Sequence, residues 1–368
     1  MTVETVAASS GCYILARAER TMIMTSPGFS TLQEINTQTA AWSEAIELVL
    51  ALAPHIGAIK MANRGQVLFT GCGSTYYLAM SAAQIFQART GVVARACPAS
   101  ELLLNPAGVL SEHDGLLFAI SRSGSTSETL RAVEDFKTKR QGKVVVITNY
   151  AKSPLTSLGD IVLAIESGQE QSVAQTKSFS SMHVAAAAIA DMLGPSPVGA
   201  GCKDVLVGAG NRLIRDYSVL TQRLAADEQI NQVFFLGSGP RHSLACEASL
   251  KLKEMSQTVS EPFHFLEFRH GPISMVDEKT LVVGLVSENA YRHEAAVLKE
   301  IAALGAQTLS VGEHDTDIEF RSGVAEHLRN VLYLPVLQLL AYHRAVVKGK
   351  NPDKPNNLTQ FIELSFGT

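Results

Sequence analysis

The chain has 368 residues, 46% hydrophobic and 18% charged, with a formal net charge of −4. That length allows two domains of ordinary size, and the composition excludes a disordered chain. The weak charge gives no reason to expect nucleic acid or an anionic membrane as partner, and no apolar run approaches the roughly 20 residues of a membrane span.

The first 21 residues lack the long apolar core of a secretory signal. They read as a loose tail, or as an extension upstream of a start near Met22 or Met24, so residues 1–29 are assigned to a tail. Cys12, Cys72, Cys97, Cys202 and Cys246 are scattered without a C-x-x-C. This usage fits a reducing cytoplasm and argues against a disulfide framework or a zinc site.

From Ser30 to about Ala62, apolar residues recur at three- and four-residue spacing, which predicts helices. An alternation follows: strand "QVLFTG", helix "TYYLAMSAAQIFQAR", strand "VVARAC", short helix "ASELLLN", strand "GLLFAIS", helix "SETLRAVEDFKTKR", strand "KVVVITN", strand "DIVLAIE" and helix "FSSMHVAAAAIADML". Apolar strands alternating with amphipathic helices imply a parallel sheet covered on both faces. "GPSPVGAGC" (194–202) is a plausible linker. A long helix from about Lys203 to Glu228 comes next, and then "QVFFLGSGPRHSLACEASLKLKE" repeats the logic of "QVLFTGCGSTYYLAMSAAQIFQ". "TLVVGLVS", "AQTLSVGE" and "NVLYLP" are predicted as further strands, with "VLQLLAYHRAVVKG" as a last helix. The predicted architecture is therefore α/β: two similar domains, residues 30–200 and 201–368, each a parallel sheet with helices on both faces, a flavodoxin-like three-layer sandwich.

In an open parallel sheet, ligands gather beyond the carboxyl ends of the strands, where helix N-termini point N–H groups outward. "TGCGSTYY" (70–77) offers close backbone approach at its glycines and hydroxyls at Ser74 and Thr75. "SRSGSTSET" (121–129) crowds Ser121, Ser123, Ser125, Thr126 and Ser127 around one glycine at a helix start. A single hydroxyl suffices for a helix cap; five suit the oxygens of a phosphate. No G-K-[S/T] follows, so this is no triphosphate loop, and neither G-x-G carries the third glycine of a dinucleotide site.

Glu247, Lys251 and Glu254 share a helix face. Taken alone, that face reads as a solvated ion-pair row. However, the helix starts just after the second G-x-G, and "FHFLEFRHGP" then brings His264, Glu267, Arg269 and His270 among aromatic residues. A carboxylate among apolar groups works as a base near neutrality, and a histidine exchanges protons at the same pH. Acid, base and phosphate cradle together fit chemistry on a sugar phosphate.

At this point the residues resemble the sugar isomerase (SIS) family, in particular the isomerase half of glucosamine-6-phosphate synthase and the SIS-type glucosamine-6-phosphate deaminases. "CGSTYY" is similar to the family's C-G-T-S-Y, "SRSGSTSET" to S-Q-S-G-E-T, "SVAQTKSF" to V-A-S-T-K-A-F, "SLKLKEMS" to A-L-K-L-K-E-I-S, and "EFRHGP" to E-L-K-H-G-P. The resemblance covers nearly all of residues 30–368. It implies that Ser74, Thr75, Ser121, Arg122, Ser123 and Thr126 hold a sugar phosphate, with Val173 backing the sugar and Gln360 in the tail position. It implies three catalytic residues: Glu254 shuttles the proton between C1 and C2, His270 assists ring opening from the partner subunit of a homodimer, and Lys251 sits beside the base. No metal or organic cofactor is expected, and the location implied is cytoplasmic.

Two departures shape the expected activity. Only a short tail precedes the SIS region, so no glutaminase domain and no ammonia from glutamine are expected. Where the family has a lysine that forms an imine, "KPNNLTQFIEL" has Gln360, and an amide forms no imine at useful rates. The expectation is aldose–ketose isomerisation, with deamination, of an amino sugar phosphate resembling glucosamine-6-phosphate. The alternatives are a deglycase acting on a fructosyl-amine phosphate, and a sugar-phosphate sensor without turnover.

Overall fold

A computed structural model of the chain describes residues 26–59, 66–110, 115–140, 142–360 and 364. The expectations placed on residues 1–25, Cys12, Met22 and Met24 among them, lie outside this set. Strands β1 (Gln66–Gly71), β2 (Ala94–Pro98), β3 (Gly115–Ile120), β4 (Lys143–Thr148) and β5 (Ile161–Ala164) form one wholly parallel sheet in the order 2-1-3-4-5. A second parallel sheet holds β6 (Gln232–Gly237), β7 (Val259–Phe263), β8 (Thr280–Leu285), β9 (Gln307–Gly312) and β10 (Ile318–Glu319), in the order 10-9-8-6-7. Counted from its own first strand, the second sheet repeats the order of the first.

The longer helices are α1 (Phe29–Ala51), α2 (Ser74–Thr90), α3 (Ser127–Arg140), α4 (Lys177–Leu193), α5 (Lys203–Ala226), α6 (Pro240–Ser256), α7 (Tyr291–Ala303) and α8 (Leu334–Val347). Strand side chains alternate between faces, and both faces are apolar because both are covered. Val67, Phe69, Leu116 and Phe118 enter a large core that also takes Val233 and Phe235 of the second sheet. Their neighbours Leu68 and Leu117 point the other way into a smaller core against α3, as Phe234 and Leu236 do against α7. The large core is shared, with α2 packed against α6 between the sheets.

Trp42 on α1 is fully buried and donates from Nε1 to Ser180 Oγ at 2.8 Å. Asp191, which breaks the apolar run of α4, is buried too. Its carboxylate accepts from the N–H groups of Val198 and Gly199 and pairs with Arg89 and His327, so it anchors the predicted linker. Cys72, Cys97, Cys202 and Cys246 are free thiols.

One expectation in the second half fails. "NVLYLP" is not a strand: Asn330–Tyr333 is a 3₁₀ turn leading into α8. Its residues are buried all round, and a short apolar run without alternation does not distinguish strand from buried helix. Conversely, "VSEPF" forms β7 although it carries Glu261 and Pro262. It lies at a sheet edge, where proline is tolerated.

Candidate active site

With strand order 2-1-3-4-5, the chain reverses direction between β1 and β3, and the crevice beyond their carboxyl ends is the expected ligand position. The two loops that flank it there are Cys72–Thr75 and Ser121–Thr126. Gly71 admits no side chain: a Cβ there would lie 2.6 Å from Thr75 Oγ1 and 2.7 Å from the Thr75 backbone. Thr75 Oγ1 closes the turn on Cys72, accepting from its N–H and donating to its carbonyl, each at 2.9 Å. In the second loop, Ser121 Oγ accepts from Gly124 N–H at 3.1 Å and faces Thr126 Oγ1 at 3.3 Å. Ser123 Oγ accepts from Ser125 N–H at 3.2 Å. Helix α3 starts at Ser127, so its first-turn N–H groups look into the same crevice.

The crevice is a cleft of ≈190 Å³ lined by both loops and by Glu128, Val173, Gln175, Lys251, Glu254 and Leu358–Gln360. Among the residues singled out from sequence, Ser74, Thr75, Ser121, Arg122, Ser123, Thr126, Val173, Lys251, Glu254 and Gln360 come together here. His270 does not. It follows the 3₁₀ turn Glu267–Arg269 and is exposed on its own chain. Its neighbour Arg269 pairs with Glu300 at 2.6 Å, and His264 stacks on His242 at 3.8 Å. The two titratable clusters that sequence suggested as one site are thus separate within one chain.

Arg122 occupies its place in an unforeseen way. Its guanidinium is buried and donates to the carbonyls of Ser172 at 3.2 Å, Val173 at 2.9 Å and Gln360 at 2.8 Å. Glu170 lies 3.7 Å away. Rather than standing free for an anion, Arg122 ties three walls of the cleft together. The loop it grips is pinned from behind as well. Glu170 accepts from Thr176 N–H and from the hydroxyls of Thr176 and Ser178, and Glu34 on α1 accepts from Gln171 N–H, Ser172 N–H and Ser172 Oγ. Burial, and then the charge of Glu170, push Glu34 up to about 7. Asp353 in the tail accepts from the N–H groups of Ser30 and Thr31 at the start of α1, a capping arrangement that ties down the segment leading to Gln360.

The helix face of Glu247, Lys251 and Glu254 is not a solvated row. Glu247 and Lys251 are each 2% exposed, because α6 packs against α2. Lys251 Nζ donates to Glu254 Oε2 and lies 3.5 Å from Glu247 Oε1. Burial opposes the Lys251 charge, but Glu247 and Glu254 together outweigh it and raise its pKa. Burial also drives Glu247 up to about 8; Lys251 opposes this and Glu254 adds to it.

Glu128, Gln175 and Thr359 line the cleft but were not singled out. Gln175 and Thr359 stand inside or beside quoted motifs, whereas Glu128 reads as an ordinary first-turn helix acid. The second sheet has a matching turn: Gly73 and Gly239 share φ of 55° and 57°, and a Cβ on Gly237 would lie 2.5 Å from the Arg241 carbonyl. Around it Arg241 pairs with Glu326 at 2.7 Å and Ser287 N–H donates to Glu294 at 2.6 Å, and a cavity of ≈270 Å³ lined by Ser287, Glu288, Tyr291, Glu313 and His314 lies beyond β8 and β9. Among the described residues, no group of three or more His, Cys, Asp or Glu is arranged to hold a metal ion, and no helix is long and apolar enough to cross a membrane.

Known proteins share this architecture. A glucosamine-6-phosphate deaminase from Thermotoga maritima has a TM-score of 0.79 and 29% identity, covering 91% of this chain and 100% of that one. A tagatose-6-phosphate ketose/aldose isomerase from Escherichia coli has a TM-score of 0.80 at 21% identity, covering 90% and 98%, and shares the fold. In sequence, the glutamine–fructose-6-phosphate aminotransferase (isomerizing) of Pyrococcus horikoshii is 30% identical over 350 residues, 90% of this chain and 57% of the relative. That of Pseudomonas aeruginosa is 29% identical over 364 residues, 90% and 58%. The chain therefore spans rather more than half the length of these relatives. The family model for the SIS domain matches residues 60–192 and 228–334, one match on each sheet, and the chain belongs to the SIS domain family.

Proposed function

We propose that the protein acts on an amino sugar phosphate, moving a proton between C2 and C1 and releasing the amine as ammonia. The observation that carries this reading is the placement of Glu254 on the same cleft as the hydroxyl loop Ser121–Thr126. An acid–base group and an anion cradle then face one small substrate. Membership of the SIS domain family and the likeness to the Thermotoga maritima deaminase support it.

In this mechanism Ser121, Ser123, Thr126, Thr75 and Ser74 receive the phosphate and adjacent hydroxyls, and the first turn of α3 adds its dipole. Val173 backs the sugar, with Gln360 at the tail edge. His270, exposed on its own chain, serves ring opening in the cleft of a partner subunit. Glu254 takes the C2 proton from the open-chain 2-amino aldose, leaving an enolamine, and returns it to C1. The product is a 2-imino ketose phosphate, and water converts its C=N to C=O with loss of ammonia. No lysine imine is required, in keeping with Gln360 in the tail. On a sugar phosphate without the amine, the same proton transfer is an aldose–ketose isomerisation.

Proton NMR in heavy water tests this, with a panel of sugar phosphates and amino sugar phosphates and an ammonia assay on the same samples. Loss of the C2 proton together with ammonia is expected from wild type and not from Glu254→Gln. Exchange without ammonia reassigns the protein as an isomerase. Binding without exchange on any member of the panel replaces the reading with a sensor.

A further inference from the structure

Glu128 lines the cleft beside the hydroxyl loop, yet the mechanism above gives it nothing to do. It stands in the first turn of α3, where the helix dipole favours an acid. An acid in that position needs no ligand when water surrounds it. Glu128, however, is half-buried, and its Oε2 is shut off from solvent without a hydrogen-bond partner. Leaving a buried carboxylate oxygen without a donor carries the full desolvation cost of a charged group.

The neighbouring cations are engaged elsewhere. Arg131, one turn further along α3, pairs with Glu134 and Asp135. Arg122 is held by three carbonyls and faces Glu170. Lys251 donates to Glu254. Arg122, Glu128, Lys251 and Glu254 are the charged residues of the cleft wall, and among the described residues Glu128 alone of them has no ion pair. Its charge reaches Cys72 in the glycine turn, a thiol whose pKa burial raises and Glu128 raises further. The first cleft therefore carries one acid that nothing in the chain balances.

What this wall lacks is a positive hydrogen-bond donor. A phosphate dianion offers only acceptors, and a nearby carboxylate repels it. A sugar hydroxyl donates but leaves the charge uncompensated. An ammonium supplies both the donor and the charge. An amino sugar phosphate carries anion and cation on one small molecule, so its phosphate suits the hydroxyl loop and its nitrogen suits Glu128. A plain sugar phosphate brings the anion alone to a cleft with an unpaired acid, and that mismatch selects against it. We propose that Glu128 is the specificity residue of this cleft, binding the ammonium of an amino sugar phosphate and disfavouring the same sugar without nitrogen. This rests on the reading of the cleft as a sugar-phosphate site, and not on proton transfer by Glu254.

Calorimetric binding tests it, on a Glu254→Gln background so that the ligand is not consumed. The probes are glucosamine-6-phosphate and glucose-6-phosphate, which share the phosphate and differ at C2. The amino sugar is expected to bind about tenfold or more tightly than glucose-6-phosphate. Adding Glu128→Gln is expected to remove that preference by weakening glucosamine-6-phosphate, with glucose-6-phosphate unchanged or tighter. Raising the pH past the pKa of the amine should weaken the amino sugar where Glu128 is present and not in Glu128→Gln, glucose-6-phosphate correcting for the phosphate. If the glutamine variant does not fold, Glu128→Ala takes its place with the same expected loss of preference. No preference on the background, equal weakening of both sugars, or a preference that survives the loss of Glu128 each overturns the proposal. Turnover of wild type is read separately. A protein that prefers the amino sugar through Glu128 but exchanges no C2 proton keeps the amine site and loses the reading of Glu254. One that releases ammonia while Glu128→Gln binds the amino sugar as well as before keeps the function and loses the amine site.

Discussion

Arg122 and Gln360, 238 residues apart in sequence, meet at the cleft, where Arg122 Nη2 donates to the Gln360 carbonyl at 2.8 Å. The same guanidinium holds the carbonyls of Ser172 and Val173. A loop after the third strand, the loop before α4 and the tail are thereby fixed by one buried cation.

Arg122→Gln keeps some donor capacity but removes the charge opposite Glu170, whose side chain is fully buried. Leaving a buried carboxylate without its cation is expected to cost about 2–4 kcal/mol, read as a lower midpoint in urea denaturation. Deuterium exchange at residues 358–360 should rise at the same time. A variant as stable as wild type with an equally protected tail would show that the clasp is dispensable.

Gln360→Lys tests the tail from the other side. Borohydride added with a ketose phosphate should leave the wild-type tail at unchanged mass, since an amide forms no reducible imine. The variant should gain the mass of one reduced sugar on its tail peptide. A wild-type tail that is itself trapped would contradict the mechanism without a lysine imine.

Gly124→Ala strikes the hydroxyl loop directly. Gly124 has φ of +62°, and a Cβ there would lie 2.6 Å from Ser153 Cβ. Left-handed strain and the clash together are expected to cost about 2–4 kcal/mol and to raise KM for a sugar phosphate more than they lower kcat. Thermal melts and initial rates measure the two effects. A KM equal to that of wild type would place the phosphate elsewhere.

Glu34 makes stability depend on pH. Its carboxyl is raised from 4.5 to about 7 in the folded chain, by burial first and by Glu170 second. Between these values the folded state binds more protons than the unfolded state, so stability falls as pH rises. The contribution is complete below about pH 4.5 and lost as pH rises through about 7, an effect on the order of 3 kcal/mol. Urea titrations of wild type and Glu34→Gln across this window should differ in slope, the wild type declining more steeply. Parallel slopes would remove Glu34 as the source.

By itself the sequence determined the features carried by local spacing. Strand–helix alternation with strands apolar on both sides specifies covered parallel sheets, and the glycine turns after β1 and β6 and the hydroxyl cluster Ser121–Thr126 mark the ends where ligands collect. Glu247, Lys251 and Glu254 share a face by helical periodicity alone. What that face does was settled by packing between segments far apart in the chain. Burial of Glu247 and Lys251 depends on α2 lying against α6, and no local pattern separates an exposed ion-pair row from a sealed one. Arg122 read as a phosphate contact because its carbonyl partners come from two distant segments. His270 stood near the base in sequence but lies outside its own cleft, since β7 and the turn after it carry it to another surface. The surroundings of the two glycine turns also differ only in tertiary structure. Both have the same turn, but beside the second Glu294 and Glu326 are brought in from α7 and from the segment before α8 and pair with Ser287 N–H and Arg241.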